Sequence, residues 1–308
     1  MTGFILRRAA LALPLALLVA TMVFSLIHLI PGDPVEMMLG EGVARGEVEA
    51  LRQRLGLDRP LLEQYGRYLG GLLRGDMGRS LHFGRPVREV VAEHFPATLQ
   101  LAVASLLIAL ALSLPLGILA ALHRGGWIDH ASRVAALMGV SVPNFWLGPM
   151  LILLFAIYWD LFPVSGRSGP ASLVLPALTL GAGLAGLLTR LVRSSLGDEL
   201  HRPYLVAARA KGLTRRGAVV RHALKNALLP VVTVVGLQFG ALLTGAIITE
   251  TIFAWPGLGR LIVQAIRLRD YPLVQGGVLV IALIYVGMNL ATDVAYALLD
   301  PRIRYERR

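Results

Sequence analysis

The sequence predicts an all-α integral membrane protein with six transmembrane helices. Hydrophobic residues make up 56% of the 308 residues and charged residues only 16%, whereas an average soluble domain carries about 25% charged residues. Six apolar runs are long enough to cross a bilayer as helices, which takes about 20 residues. The basic residues also concentrate in alternate segments between these runs, which is typical of membrane proteins.

The first apolar run, Ala9–Ile30, follows Arg7 and Arg8 and resembles a signal peptide at first sight. It is too long for the apolar region of a signal peptide and has no small-residue cleavage site before Pro31. We therefore interpret residues 1–30 as an uncleaved N-terminal span. Five further spans are expected within a core region of residues 98–300, with a cytoplasmic tail at 301–308; their apolar runs are Thr98–Leu122, Val134–Ile157, Leu173–Leu191, Ala227–Phe253 and Gly276–Leu299.

The distribution of basic residues indicates which side of the membrane holds the termini. Six spans place both ends on one side. If that side is the cytoplasm, the inner segments carry 17 basic and five acidic residues, whereas the outer segments carry 13 basic and 12 acidic residues. This bias predicts an N-in, C-in topology. It also explains the net charge of +11 without nucleic acid as a partner.

The segment between the first two spans, residues 31–97, is long for a connection. Apolar residues recur in it at helical spacing, and Gly75–Gly78 is typical of a turn. We expect an external segment of short amphipathic helices. The residues that suggest these helices are Val48, Leu51, Leu55, Tyr65, Tyr68, Leu69 and Leu72.

The basic loop between the fourth and fifth spans, residues 202–226, predicts two short helices. Pro203 suits the first turn of the first helix, Gly212 can end it in a left-handed conformation, and Thr214 can cap the second. On the second helix, apolar residues at i, i+4 and i+8 predict a buried face formed by Val220, Leu224 and Leu228. The loop could be an ordinary positive-inside connection, but its small alanines favour a surface that another protein approaches closely.

The pattern of Ala207 and Ala208, three further residues and then Gly212 resembles the EAA loop of ABC importer permeases, and Leu224 matches the downstream leucine. Val206 stands where that loop usually has glutamate, and Lys225 where proline often follows. Six further motifs resemble the dipeptide, oligopeptide and nickel permease branch of that family. They are Leu29–Pro34, Leu55–Pro60, Gly75–Ser80, Phe253–Arg260, Arg269–Pro272 and Asp300–Arg302.

The resemblance implies a type I ABC importer permease in the bacterial inner membrane, working by alternating access. It implies several partners: membrane lipid, a homologous permease in a heterodimer, two ATPase subunits and an extracytoplasmic substrate-binding protein. The implied substrates are peptides, with nickel chelates or glutathione as alternatives. It also implies that the loop couples to the ATPases through Ala207, Ala208, Arg209, Lys211, Gly212 and Leu224.

The energy source must lie in another polypeptide if transport is driven by ATP. The only two lysines, Lys211 and Lys225, do not lie in a GxxxxGK[ST] sequence, so the chain has no Walker A loop. We therefore expect a transport subunit and not an enzyme, with no catalytic residue, cofactor or metal site. The chain contains no cysteine, which excludes thiolate ligands and cysteine nucleophiles.

Two other functional classes are less consistent with the sequence. Gly166–Gly169 matches the GxSG of intramembrane proteases, but Ser168 lies in a predicted external turn and no histidine follows His222 to supply a base. An ion-coupled secondary transporter would be expected to show inverted repeats and broken helices, which the sequence does not reveal.

Two acidic residues lie in or near predicted spans, Glu250 in the fifth and Asp293 in the sixth. A charge at mid-bilayer costs about 2.5–3.5 kcal/mol on insertion scales, so we expect both to face the bundle and not the lipid. We favour hydrogen-bonded structural acids near helix ends, with pathway or gate residues as the alternative.

Overall fold

The computed structural model describes residues 2–29, 33–39 and 44–299, without the side chains of residues 2–9, 26, 34, 37 and 293–299. The described chain is helical. Its α-helices are α1 Thr2–Leu29, α2 Pro34–Leu39, α3 Arg45–Leu55, α4 Leu61–Leu73, α5 Val87–Leu122, α6 Trp127–Ser141, α7 Asn144–Leu151, α8 Val174–Glu199, α9 Pro203–Ala210, α10 Arg215–Ala218, α11 Leu224–Ala227, α12 Leu229–Ile252, α13 Leu258–Arg267 and α14 Tyr271–Leu299. Two π-helical segments, Ile152–Tyr158 and Val219–Ala223, follow α7 and α10, and a short 3-10 helix, Pro170–Leu173, precedes α8.

Among the described residues, five helical segments are long and apolar enough to cross a membrane. They lie in α1, α5, the 3-10 helix with α8, α12 and α14. Helix α5 begins at Val87 and not at Thr98, because charged residues at its start do not interrupt a helix that continues beyond the apolar run.

The run Val134–Ile157 is not the straight span that the sequence predicts. Helix α6 and the segment from Asn144 to Tyr158 meet at a bend of 107°. The cause is Pro143, which disfavours helical backbone at the residue before it. Val142 accordingly has φ −82° and ψ 119°. Counting this bent pair as one span gives six spans.

The chain divides into two compact units, and the first comprises 1–98 and 256–294. Its core joins the start of α5 to α13 and α14, with Val87, Val90, Leu258, Leu261 and Leu273 among its buried residues. The segment between α1 and α5 contains the short helices α2, α3 and α4; its external location stays a prediction. Helix α4 packs through Tyr68, Leu69 and Leu72 onto Ala20 and Val23 of α1.

A buried carboxylate organises the loop between α4 and α5 in this unit. Asp270, only 1% exposed, accepts hydrogen bonds from the Ser80 hydroxyl, from the His82 backbone N–H at 3.0 Å and from the Leu273 N–H at 3.2 Å. Two motifs noted in the sequence, Gly75–Ser80 and Arg269–Pro272, therefore meet at one buried acid.

The second unit comprises 99–255 and 295–308, and small residues allow its helices to approach closely. A Cβ atom on Gly181 of α8 would lie 2.6 Å from the Ser105 carbonyl oxygen of α5. A Cβ on Gly186 of α8 would lie 2.3 Å from the Ala136 carbonyl oxygen of α6. Real Cβ contacts are not this short, so these positions require glycine for space. Close backbone approach through small residues is how transmembrane helices commonly associate.

The bent pair extends along the length of α8. Asp129 at the start of α6 binds Arg193 near the end of α8, whereas Ala156 in the π-helical segment clusters with Leu175 at the start of α8. The two ends of the pair thus contact opposite ends of α8. The pair thus connects the two ends of α8 through a bend of 107°.

Replacing Gly186 with alanine should destabilise the protein by about 1–3 kcal/mol, because overpacking a tight contact forces backbone shifts. Gly183→Ala on the same helix is the matched control, since its added Cβ would meet only the Gly139 carbonyl oxygen at 3.6 Å. Both changes bring the same gain in helix propensity, so the difference in unfolding free energy, measured by denaturant titration in detergent, isolates the packing. Equal stabilities of the two variants would contradict the tight packing at Gly186.

Candidate functional site

The first helix of the basic loop forms as its local chemistry predicts. Pro203 begins α9 after Arg202, whose backbone is extended at φ −74° and ψ 139°. The helix ends at Ala210, and Gly212 then has φ +91°. A Cβ on Gly212 would have no atom within 4 Å, so the glycine is needed for its backbone conformation and not for space.

The second helix of the loop differs from the prediction. Thr214 caps α10, its hydroxyl oxygen accepting the Gly217 N–H at 3.2 Å. The following turn is π-helical, and a π-helical turn holds more residues than an α-helical one and so changes which side chains share a face. The buried residues are Ala218, Val219, Ala223 and Ala227. The predicted face was wrong: Val220 is 67% exposed.

The base of the loop packs onto the ends of α5 and α8. Leu205 of α9 and Ala218, Val219 and Ala223 of the second helix form one cluster. Its other members include Ala121 of α5 and Leu196 of α8. The loop is therefore fixed to the two long helices through apolar contacts and does not hang free between them.

Polar contacts also hold the loop in place. The Tyr204 hydroxyl donates to Glu199 at the end of α8 and accepts from the Asn226 side chain at 3.1 Å. Partial burial, followed by the hydrogen bond to Glu199, raises the pKa of Tyr204. Tyr204 thus connects the end of α8 to both helices of the loop and stays a donor at neutral pH.

The side of the loop away from this base presents small and basic residues. Of the six predicted coupling residues, Ala207, Arg209, Lys211 and Gly212 are exposed, and Ala208 and Leu224 are half-buried. Five of the six lie within the stretch from Ala207 to Gly212, at the end of α9, and Leu224 lies on the second helix. The structure therefore exposes two small residues, Ala207 and Gly212, at which another protein can approach the backbone closely.

An ion pair that sequence reasoning missed joins the start of α6 to α8. The Asp129 carboxylate, whose side chain is 1% exposed, accepts from Arg193 at 2.8 Å and from the Gly125 N–H at 3.0 Å. Arg133 stands 3.6 Å away. The only signal in the sequence is the i, i+4 spacing of Asp129 and Arg133, which predicts a helical ion pair but not the bond from Arg193.

Of the two acidic residues predicted in spans, the structure describes the side chain of one. Glu250 in α12 is fully buried and has an interaction partner, which agrees with the expectation that it does not face lipid. Asp293 lies in α14, but its side chain is outside the described part of the structure. Whether either residue lines a pathway stays a prediction.

The serine of the protease-like motif lies in an irregular loop. Ser168 is exposed, and its backbone N–H donates to the Ser172 hydroxyl oxygen at 3.2 Å. The flanking Gly166 and Gly169 have φ of +86° and +151°. This geometry fits a polar glycine turn.

Comparison with known proteins covers the whole chain. Residues 113–305 match the family described as binding-protein-dependent transport system inner membrane component, and residues 1–102 match the N-terminal family of the same membrane components. The dipeptide transport system permease protein DppB of Escherichia coli (strain K12) is 43% identical, with 100% of each chain covered. The glutathione transport system permease protein GsiC of Salmonella paratyphi A is 42% identical, covering 99% of this chain and 100% of that protein.

Solved structures share the fold at low sequence identity. An inward-facing MetNI methionine ABC transporter matches with a TM-score of 0.54 and 20% identity, covering 68% of this chain and 96% of that chain. An amino acid ABC transporter with histidines gives a TM-score of 0.50 and 18% identity, covering 70% and 94%. These structures support the fold of a type I permease.

Proposed function

Because the chain belongs to the family of binding-protein-dependent transport system inner membrane components, we propose that it forms half of a pathway that moves peptides into the cell by alternating access. It is a multi-pass permease subunit of an ABC importer in the bacterial inner membrane, and a transport subunit rather than an enzyme. The observation that carries the proposal is full-length similarity to DppB and GsiC, two permeases whose names specify a dipeptide and glutathione. Both are short peptides, so nickel chelates are the weaker alternative.

The proposed topology has six crossings with both ends in the cytoplasm. The bent pair is counted as a crossing because its two ends contact opposite ends of α8. The basic loop after α8 then faces the cytoplasm together with most of the unbalanced positive charge, in agreement with the positive-inside rule. The external segment after α1 faces the other side.

The basic loop is proposed to receive the ATPase subunits. Its exposed small residues permit close contact, and its buried base links that contact to the ends of α5 and α8. Closure of the ATPases on ATP would displace the loop, and the packed base would pass the movement to both long helices. Such rigid-body rocking of packed elements is a common switching device.

The remaining partners follow from what this chain lacks and from its family. It has no Walker A loop, so two separate ATPase subunits are proposed. A second, homologous permease would complete the pathway as a heterodimer, and a substrate-binding protein would deliver peptide to the external face. Glu250 is proposed as a hydrogen-bonded structural acid, in keeping with its full burial. A role of Glu250 and Asp293 as pathway or gate residues is the alternative.

The test of the proposal is uptake by proteoliposomes that contain this permease, its partner permease, both ATPases and the binding protein. Labelled dipeptide should accumulate only when ATP is present on the side of the membrane that holds the ATPases. Unlabelled dipeptide and glutathione should each reduce this uptake, and the stronger competitor identifies the preferred substrate. Collapsing ion gradients with an ionophore should leave uptake intact, because ATP drives the transport. The same treatment would stop uptake by an ion-coupled transporter. Failure of every peptide to accumulate, with uptake of a nickel chelate instead, would contradict the peptide assignment.

A further inference from the structure

A cavity of about 390 Å³ lies behind the basic loop, between the ends of α5 and α8 and the helices α9 and α10. This volume is within the range of small-molecule sites, about 300–1,000 Å³. Three arginines, Arg124, Arg209 and Arg215, line it together with His201, and its apolar wall includes Leu205 and Val219. No acidic residue lines it.

These arginines lack partners within the described chain. None of the three guanidinium groups has a carboxylate within 4 Å or a hydrogen bond there. In contrast, the cavity's His201 is held through Nδ1, 2.8 Å from the Gly197 carbonyl oxygen at the end of α8. Several like charges around one cavity repel each other, and an anion placed among them removes that repulsion.

The cavity lies at the level expected for lipid headgroups. The apolar stretch of α5 ends at Leu122, two residues before Arg124. Trp127, at the start of α6, is 79% exposed, and exposed tryptophans in membrane proteins concentrate at the membrane–water interface. The arginines are therefore close to the phosphates of the leaflet that faces the loop.

We propose that this cavity binds the phosphate of an anionic phospholipid, such as phosphatidylglycerol, from the cytoplasmic leaflet. Planar guanidinium groups bind phosphate oxygens through two parallel hydrogen bonds, and basic pockets on this side of membrane proteins suit such headgroups. The lipid would join α9 and α10 to the ends of α5 and α8 and so brace the loop. The alternative occupant is an acidic side chain of an ATPase, because Arg209, one of the proposed coupling residues, also lines the cavity. The position of the cavity at the headgroup level favours the lipid.

The test compares two double variants of the full chain, purified without ATPases into nanodiscs. Arg124→Gln/Arg215→Gln removes two cavity arginines. Arg216→Gln/Arg221→Gln removes two exposed arginines of the same loop that do not line the cavity. The measurement is the affinity of spin-labelled phosphatidylglycerol relative to spin-labelled phosphatidylcholine. We expect the cavity variant to lose roughly tenfold or more of that preference, because each cavity guanidinium is proposed to form charge-assisted hydrogen bonds to the phosphate. The control variant should lose much less, since its arginines only add to the general attraction of the loop for anionic lipid.

Four results would overturn the inference: no preference for phosphatidylglycerol in the unmodified chain, equal losses in the two variants, displacement of the lipid by millimolar inorganic phosphate, or disappearance of the preference in the assembled transporter. Equal losses in the two variants would mean general attraction of lipid to the basic loop. Displacement by inorganic phosphate would mean a site for a free anion, and loss of the preference in the assembled transporter would mean a site that the partner protein fills. The inference uses the proposed function only for the orientation of the loop. Because lipid affinity is measured without ATPases, its failure is distinct from a failure of coupling.

Discussion

Arg193→Ala should lower the stability of the permease by about 3–5 kcal/mol, the cost of breaking a buried ion pair by removing one partner. The change leaves the Asp129 carboxylate, 1% exposed, with the Gly125 N–H and the more distant Arg133 as its remaining partners. A buried charge without full compensation is costly because it has lost its water. The measurement is the free energy of unfolding from a denaturant titration in detergent, with loss of assembled protein as a second readout.

Two further variants separate the ion pair from loss of an arginine in general. Arg190→Ala is the matched control, since Arg190 lies one turn earlier on α8, is exposed and has no acidic partner in the described chain; it should change stability by less than about 0.5 kcal/mol. The double variant Asp129→Leu/Arg193→Met removes both charges and should recover much of the loss. A double variant as unstable as Arg193→Ala would show that the pair contributes through packing and not through charge.

Gly212→Val should abolish stimulation of the ATPases by substrate while the permease still inserts into the membrane. Gly212 has φ +91°, a region that a β-branched residue almost never adopts, so valine would change the path of the chain between the two loop helices. Ala207→Trp should have the same effect for another reason. Ala207 is exposed, so tryptophan clashes with nothing in this chain and interferes only with a docked protein. The half-buried Ala208 is a less clean site for that substitution.

Each substitution has a control. One places a better-tolerated residue at position 212, and the other places a tryptophan outside the loop. Gly212→Asn should retain most activity, since asparagine tolerates the left-handed region better than other residues with a Cβ. Ala131→Trp adds the same bulk at an exposed alanine outside the loop. Recovery of both ATPases on the tagged permease and stimulated ATP hydrolysis are the readouts. Normal values in Gly212→Val and Ala207→Trp would mean that the loop is only a positive-inside anchor.

Local chemistry made part of the candidate site predictable. The start of α9 at Pro203, the left-handed Gly212 and the Thr214 cap each depend on residues within one turn, so the sequence is enough to predict them. The buried face of the second helix depends on packing against α5 and α8 and on a π-helical turn. The large residues Val220, Leu224 and Leu228 therefore predicted the wrong face, and the small Ala223 and Ala227 fill it.

Contacts over long sequence distances account for what the sequence did not reveal. The bond between Asp129 and Arg193 joins residues 64 positions apart, and no local spacing predicts it. The bend between α6 and α7 did have a local signal in Pro143, but hydropathy averages over the whole run and treats it as one straight span. Hydropathy correctly predicted the other five spans, because insertion of each depends mainly on its own composition.

The hydrogen bonds that Asp270 accepts have a consequence for the biogenesis of the protein. Ser80 and Asp270 are 190 residues apart, so the loop between α4 and α5 cannot acquire its final hydrogen bonds until nearly the whole chain has been made. At synthesis rates of about 5–20 residues per second, the interval is roughly 10–40 s. In the proposed topology, α1 already spans the membrane during this time, and the segment after it lies on the far side. The native conformation of this loop therefore forms late in synthesis, when the segment around Asp270 and the last span have been made.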